Sequence, residues 1–254
     1  TAEILRIMDE LAEAGTLELC LTGGEPLARP DFFQLYEHAI NCGFLVTVFS
    51  NGTLITEAQA DRFAALRPHL IEISLHGMTR ETFEQITLGQ GSYNRCLHAI
   101  KLLLDRQIHL VLKSTAMTLN RQEILDIKRH VESLGTVRYK LGEEMRLELD
   151  GGASPLQYAL SEQDLADLNR QDSDLQRDAC RRDAIEPPPC RSGMHRFHID
   201  AYGQLQLCSG NRRQSYDLRK GLFRNGFYDA LPTFACDWKV PHEPALIQPA
   251  MHHA

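Results

Sequence analysis

Several features that would place a protein in a familiar class are missing from this 254-residue sequence. No apolar run approaches the roughly 20 residues that a membrane-spanning helix needs. Basic residues are not in excess, since 27 Lys and Arg stand against 34 Asp and Glu for a net charge of −7. That balance disfavours a general nucleic-acid-binding protein. The hydrophobic fraction of 43% is typical of a globular protein and argues against a disordered chain.

Cysteine is too sparse for a scaffold held by disulfides. Seven cysteines occur in 254 residues, an odd number, and no secretory signal precedes them. This usage predicts a cytoplasmic protein, in which cysteine binds metal, takes part in catalysis or packs in the core. The sequence also lacks an initiating methionine and begins with Thr1, so we expect a piece of a longer protein.

Apolar runs alternate with helical patterns over the first 142 residues. Strand-like runs begin near residues 17, 44, 70, 108 and 137, and helical spacing fills the intervals. Strands that alternate with helices in this way predict a parallel sheet with right-handed crossovers. A helical pattern also precedes the first strand, so the strand that would normally lead into that helix is expected to be missing.

The sequence changes character after residue 150. Residues 151–155 have the composition of a linker, and Ser161 begins one further amphipathic helix that extends to Leu175. Two short strand patterns, 197–200 and 204–207, predict a β-hairpin. We therefore divide the chain into a sheet-and-helix domain (1–150), a linker with a helix (151–189), a small hairpin domain (190–239) and an irregular tail (240–254).

The predicted strands end in small and hydrogen-bonding residues, at the edge where parallel α/β folds bind ligands. In Thr22-Gly23-Gly24-Glu25-Pro26, the two glycines allow backbone groups to approach a ligand closely. Pro26 biases Glu25 away from the helical conformation, which places an anion at the strand end, suited to a ligand ammonium. Two other strand ends read Ser50-Asn51-Gly52-Thr53 and Ser74-Leu75-His76-Gly77.

These motifs together resemble those of radical S-adenosylmethionine (SAM) enzymes. Residues 22–27 are similar to the motif of that family's second strand, and the resemblance continues through 50–53 and 73–77 to Asn120, about 140 residues in all. It implies an α/β fold, a partial (β/α)6 TIM-like barrel that here lacks its first strand. It also implies that Gly23, Gly24 and Glu25 receive the methionine amine of SAM, and that Asn51 and Ser74 make further SAM contacts.

Two residues of the same edge have open roles. His76 stands where many members of the family carry Asp, and it is either a substrate contact or a rim histidine without a chemical task. Lys113 is either a cation of the site or a strand-end lysine whose ammonium extends to solvent.

The motif that defines the family is absent. Radical SAM enzymes carry C-x3-C-x2-C after the first strand, which binds three irons of a [4Fe–4S] cluster and leaves the fourth iron for SAM. No three cysteines here have that spacing, and Cys20, Cys42 and Cys96 are predicted to be core residues. We expect truncation rather than degeneration, and we expect the chain as given to be inactive.

The second half carries a cysteine pattern of its own. The pattern is Cys190-x12-Gly203-x4-Cys208. It resembles the opening of the auxiliary-cluster region, of SPASM or twitch type, that follows some radical SAM barrels. The resemblance implies Cys190, Cys208 and Cys236 as iron–sulfur ligands, in a site that is only partly represented. Cys180 is expected to be a free thiol. A zinc site of Cys190 and Cys208 with His195 and His198 is the alternative, although the two histidines would face opposite sides of a strand.

The resemblance implies a radical SAM enzyme whose 5′-deoxyadenosyl radical modifies a peptide or an amino-acid-derived substrate. Its cofactors would be SAM and [4Fe–4S] clusters, and its reductant a protein such as flavodoxin or ferredoxin; neither nucleic acid nor membrane is an expected partner. No catalytic residue is assigned. One alternative is a lyase or aldolase barrel that uses Lys113, Glu25 and His76, and another is a non-catalytic fragment that binds SAM or a peptide.

Overall fold

The computed structural model describes residues 1–145, 147–148, 151–184 and 192–236. Contacts divide the chain into two units, Thr1–Cys190 and Arg191–Ala254. Among the described residues, no helix combines the length and the apolar character needed to cross a membrane.

The first unit is built on one sheet of five parallel strands in the order β1-β2-β3-β4-β5. The predicted α/β class with a parallel sheet is therefore confirmed. The strands are β1 Glu18–Leu21, β2 Leu45–Ser50, β3 Leu70–Ser74, β4 Leu110–Thr115 and β5 Arg138–Gly142. The helices are α1 Ala2–Glu13, α2 Phe32–Asn41, α3 Glu57–Ala65, α4 Arg80–Thr87, α5 Ser92–Asp105, α6 Ile124–Ser133, α7 Glu162–Arg170 and α8 Ser173–Ala184.

Alternation along the strands places aliphatic side chains against the helices. Val46 and Val48 of β2 and Ile71 and Ile73 of β3 are all fully buried. Residues between them, such as Glu72, point to the opposite, inner face of the sheet because successive strand residues alternate in direction. One face of the sheet thus packs against the helices, while the other holds Glu72 beside apolar neighbours such as Val111.

Four aromatic rings fill the core between α2 and α3. Phe32, Phe33 and Tyr36 of α2 surround Phe63 of α3 with ring centroids 5.0–6.2 Å apart, the range of favourable edge and offset contacts. The Tyr36 hydroxyl donates a hydrogen bond to the Leu66 carbonyl. Packing of this helix pair therefore buries large apolar area without leaving the phenol unpaired.

The prediction of a single helix from Ser161 is wrong, because the chain forms two helices, α7 and α8, with a break at Asp172. The Asp172 carboxylate accepts the backbone N–H groups of Asp174 and Leu175, each at 3.0 Å. Such an Asp side chain competes with helical hydrogen bonds and starts a new helix. The apolar spacing from Leu165 to Leu175 survives the break, which is why it resembles one helix in the sequence.

Lys128 links α6 to the segment where α7 ends and α8 begins. Its ammonium contacts Glu132 at 2.6 Å, Asp172 at 2.9 Å and Asp174 at 3.3 Å. Burial alone would lower the pKa of Lys128, but the three carboxylates raise it above its ordinary value. One cation therefore offsets the charge of three acids from two parts of the chain.

We expect Lys128→Met to lower the free energy of unfolding by about 2 kcal/mol, because it leaves three neighbouring carboxylates without their shared cation. Urea denaturation followed by far-UV circular dichroism measures the change. Lys101→Met is the matched control: it removes an exposed pair with Asp105 and should cost less than about 0.5 kcal/mol. Equal losses in the two variants would contradict the role of Lys128.

The second unit contains a small antiparallel sheet of β6 His198–Ile199, β7 Gln204–Gln206 and β8 Tyr216–Asp217. The turn between β6 and β7 uses Gly203 at φ +77°, and Asp200 accepts the N–H of Tyr202 at 2.8 Å. The β-hairpin predicted from the strand patterns 197–200 and 204–207 is therefore present as β6 and β7. A short α9 Phe223–Asn225 follows, and the rings of Phe197, Phe223 and Phe227 pack together. The four-part division of the chain stays a prediction.

Candidate functional site

The loops that follow the five strands lie along one edge of the sheet, because neighbouring strands are parallel and in register. The first of these loops contains Gly23 and Gly24, both exposed. Gly23 has φ +152°, where a side chain would be strained. A Cβ at either glycine would meet nothing within 4 Å. Within the described part of the chain, the carbonyls of both glycines accept no hydrogen bond, so they are available to a ligand.

The Glu25 carboxylate links this loop to the end of β2. The backbone of Glu25 is extended, at φ −148° and ψ 110°. The Ser50 hydroxyl lies 3.0 Å from both carboxylate oxygens, the Asn51 N–H donates at 2.7 Å and the Leu27 N–H at 3.1 Å. Glu25 is therefore a fixed anion, and much of its accepting capacity is used by the protein itself.

Asn51 and Ser74 offer hydrogen-bonding groups at the next two strand ends. The Asn51 side-chain oxygen accepts hydrogen bonds from the Thr53 N–H at 2.8 Å and from the Thr53 hydroxyl at 2.7 Å. This orients the amide so that its Nδ2 donors have no partner among the described residues. The Ser74 hydroxyl likewise has none there, whereas the Ser74 carbonyl accepts the Cys96 thiol at 3.6 Å. Both side chains can therefore contact a polar ligand.

A buried carboxylate faces two lysines on the inner face of the sheet. Glu72 is 5% exposed, and it lies 3.6 Å from the Lys113 ammonium and 3.1 Å from that of Lys140. Lys113 is thus held as an ion pair rather than free at the strand end. The contact with Glu72 holds the Lys113 side chain against the sheet rather than free to reach a substrate carbonyl. This arrangement disfavours the lyase or aldolase alternative.

His76 follows β3 and is kept neutral. Burial and the nearby charge of Lys113 lower its pKa to about 4. Its Nδ1 accepts the N–H of Thr115 at 3.3 Å, so the proton of the neutral ring lies on Nε2. His76 therefore presents one hydrogen-bond donor at the end of β3, where an Asp would present only acceptors.

Asn120 is buried and joins the ends of β3 and β4. Its Oδ1 accepts the Met117 N–H at 2.8 Å, and its Nδ2 donates to the carbonyls of His76 and Thr115, each at 2.9 Å. Asn120 directly precedes the short 3-10 turn 121–123 that leads into α6, but its side chain makes no capping hydrogen bond, because these three bonds use the amide. Three hydrogen bonds inside the loop layer satisfy the amide better than one exposed cap.

Glu123 holds the loop after β3, and no sequence signal pointed to it. Its carboxylate accepts the N–H groups of Met78 at 2.6 Å and Thr79 at 3.1 Å, together with the hydroxyls of Thr79 at 2.7 Å and Thr82 at 2.6 Å. Burial alone would raise the pKa of Glu123, yet these donors lower it. The partners lie more than 40 residues earlier in the chain, so no local pattern reveals the link.

The four cysteines of the first unit that the structure describes do not form a cluster-binding loop. Cys96 is buried, as predicted, and burial raises its pKa to about 12. Cys42 is only half-buried, and Cys20 is exposed on edge strand β1, so the core prediction is wrong for Cys20. Cys180 is an exposed free thiol, as expected. These four residues lie on separate elements, and no C-x3-C-x2-C occurs in the 254 residues. The residues present therefore do not fit the barrel cluster, whereas the strand-end loops offer open carbonyls, a fixed carboxylate and an amide that suit a polar ligand with an ammonium group.

Two of the three predicted auxiliary ligands can be placed. Cys208 is half-buried and Cys236 is exposed, both as free thiols, while Cys190 lies outside the described residues. The Asn211 N–H donates to the Cys208 carbonyl at 3.3 Å, and the Asn211 side chain donates to the carbonyl of Ala235 at 3.2 Å. Asn211 therefore connects the segments that carry Cys208 and Cys236. Because Cys190 lies outside the described residues, the iron–sulfur set and the zinc alternative both stay predictions.

Comparisons with known proteins show to which family the chain belongs. A family model described as the Radical SAM superfamily matches residues 1–134. An AdoMet-dependent heme synthase of Methanosarcina barkeri is 30% identical over 139 residues, which are 55% of this chain and 40% of that protein. A PqqA peptide cyclase of Granulibacter bethesdensis is 28% identical over 141 residues, 56% of this chain and 38% of that protein. The aligned stretch thus spans about 40% of the length of these relatives.

Solved structures share the fold. Streptococcus suis SuiB bound to S-adenosylmethionine superposes with a TM-score of 0.70 at 14% identity, covering 90% of this chain and 58% of SuiB. Native anSMEcpe with bound AdoMet and Cp18Cys peptide superposes with a TM-score of 0.66 at 13% identity, covering 91% of this chain and 72% of anSMEcpe.

Proposed function

Because the chain belongs to the radical SAM superfamily, we propose that its strand-end loops bind SAM through Gly23, Gly24, Glu25, Asn51 and Ser74. The observation that carries this proposal is the pair of exposed glycines with free carbonyls beside a fixed Glu25 carboxylate. Carbonyl oxygens and a carboxylate suit an ammonium group such as the methionine amine of SAM.

Each residue has a defined part in holding the ligand. The Gly23 and Gly24 carbonyls accept from the ammonium, and Glu25 contributes negative charge while fixing the loop to Ser50 and Asn51. The Asn51 amide and the Ser74 hydroxyl supply open polar groups for the ribose side. When bound and reductively cleaved, SAM supplies a 5′-deoxyadenosyl radical that abstracts a substrate hydrogen atom. The chain's own share is to bind SAM, orient it and exclude water.

The whole protein is proposed to modify a peptide or an amino-acid-derived substrate, with electrons from a flavodoxin or ferredoxin. The relatives named PqqA peptide cyclase support the peptide class. The second unit supports it further, because the Cys190–Gly203–Cys208 pattern resembles the auxiliary-cluster region of peptide-modifying enzymes. In this proposal Cys190, Cys208 and Cys236 bind iron of an auxiliary cluster.

We expect the 254-residue chain to bind SAM without cleaving it. Isothermal titration calorimetry should show one SAM site, and reconstitution with iron, sulfide and a strong reductant should give no 5′-deoxyadenosine by liquid chromatography. The reason is that SAM binding uses residues present here, whereas cleavage needs the absent C-x3-C-x2-C. Failure to bind SAM would contradict the proposed site, and release of 5′-deoxyadenosine would contradict the need for that motif.

A further inference from the structure

Asp9, His38 and Cys42 meet on the helix layer of the first unit, away from the strand-end loops. Asp9 belongs to α1, His38 lies in the last turn of α2, and Cys42 ends that helix. His38 and Cys42 are four residues apart, a spacing that places two side chains on the same face of a helix. Three different metal-binding atom types therefore converge from two helices.

The two distances to the Asp9 carboxylate are close to those around a tetrahedral metal. Asp9 Oδ1 lies 2.7 Å from His38 Nε2 and 3.7 Å from Cys42 Sγ, and all three ligand atoms lie within 4.8 Å of one another. Zinc bonds of about 2.0 Å to nitrogen or oxygen and 2.3 Å to sulfur imply edges of about 3.3 Å and 3.5 Å. To admit the ion, the carboxylate and imidazole need to separate by about 0.6 Å, and His38 Nε2 and Cys42 Sγ, which lie within 4.8 Å of each other, need to lie about 3.5 Å apart.

We propose that Asp9, His38 and Cys42 form a Zn²⁺ site with water as the fourth ligand. Imidazole, thiolate and carboxylate together suit a borderline-soft divalent ion. The site is reachable from solvent, since the Asp9 and His38 side chains are 55% and 31% exposed. It shares no residue with the proposed SAM site or with the auxiliary cysteines. A bound ion would join α1 to α2 and stabilise the helix layer around β1.

The test is metal titration of the full chain after reduction and removal of bound metal. Zn²⁺ is added in competition with a chromophoric chelator, and Co²⁺ is used separately for its thiolate charge-transfer and tetrahedral d–d absorption bands. We expect His38→Ala and Cys42→Ser each to bind one ion fewer than the wild type, or to bind this ion at least about tenfold more weakly. Zn²⁺ should also raise the melting temperature of the wild type more than that of either variant.

Matched controls separate this site from other metal-binding groups. His130→Ala removes a half-buried histidine from the last turn of α6, and Cys180→Ser removes an exposed thiol; both should bind as the wild type. Asp9→Asn keeps the size of the side chain and should weaken binding without unfolding α1. Unchanged stoichiometry and affinity in both His38→Ala and Cys42→Ser would overturn the proposal, whether or not SAM binds.

Discussion

Asn120→Ala should lower the free energy of unfolding by about 3 kcal/mol or more. Asn120 is 0% exposed, and its amide makes hydrogen bonds to Met117, His76 and Thr115. Alanine leaves peptide groups at two strand ends without partners, each at a cost of roughly 1–3 kcal/mol, and opens a small cavity. Urea denaturation measured by far-UV circular dichroism gives the change.

Two companion variants make the Asn120 result specific. Asn120→Asp keeps the acceptor for Met117 but places a buried carboxylate oxygen against the two carbonyls, so its loss should equal or exceed that of alanine. Asn41→Ala changes an exposed asparagine at the end of α2 and should cost less than about 0.5 kcal/mol. An unfolding midpoint for Asn120→Ala equal to that of wild type would show that the loop layer does not depend on this amide.

Glu25→Ala should weaken SAM binding by about 10-fold to 100-fold. The carboxylate contributes negative charge to the proposed ammonium site, and it also fixes the glycine loop through Ser50 and the Asn51 N–H. Loss of one charge-assisted interaction costs about 1.5–3 kcal/mol, and each 1.4 kcal/mol is a tenfold change in affinity. Isothermal titration calorimetry of the full chain measures it directly.

Further variants distinguish the charge of Glu25 from its positioning role. Glu25→Gln keeps an acceptor for Ser50 and removes the charge, whereas Ser50→Ala keeps the charge and removes one link. A larger loss in Glu25→Gln identifies the charge as the main contribution, and a larger loss in Ser50→Ala identifies the loop position. Glu37→Ala, which removes an exposed partner of Arg62, is the control. Wild-type affinity in Glu25→Ala would exclude both roles.

The sequence predicts the alternation of the fold well, because each strand and helix of the barrel carries its own period. Five apolar runs became five parallel strands in chain order, and the glycines before Glu25 lie exposed at a strand end. The break at Asp172 could not be predicted from hydrophobic spacing, since that spacing continues across it. Cys20 was misassigned because an edge strand resembles a central one in sequence while one of its sides lacks a neighbour.

The links between loops could not be predicted for a different reason. Asn120 contacts a carbonyl 44 residues away, and Glu123 contacts N–H groups 44 and 45 residues away. Local patterns report helix and strand formation, but they do not report which distant peptide groups a side chain will satisfy. The pairing of Glu72 with Lys113 and Lys140 is similarly invisible until the register of three strands is known.

The hydrogen bonds that connect neighbouring strand ends also bear on how this surface can be altered. Glu25 joins the first loop to the second, and Asn120 and Glu123 join the third to the fourth. If one loop is replaced alone by a loop from another barrel, the new loop lacks the hydrogen-bonding partner in the neighbouring loop. Buried acceptors or donors are then left without hydrogen bonds. Engineering of substrate preference should therefore transplant loops in adjacent pairs, and natural variants should change residues 25 and 50, or 79 and 123, together.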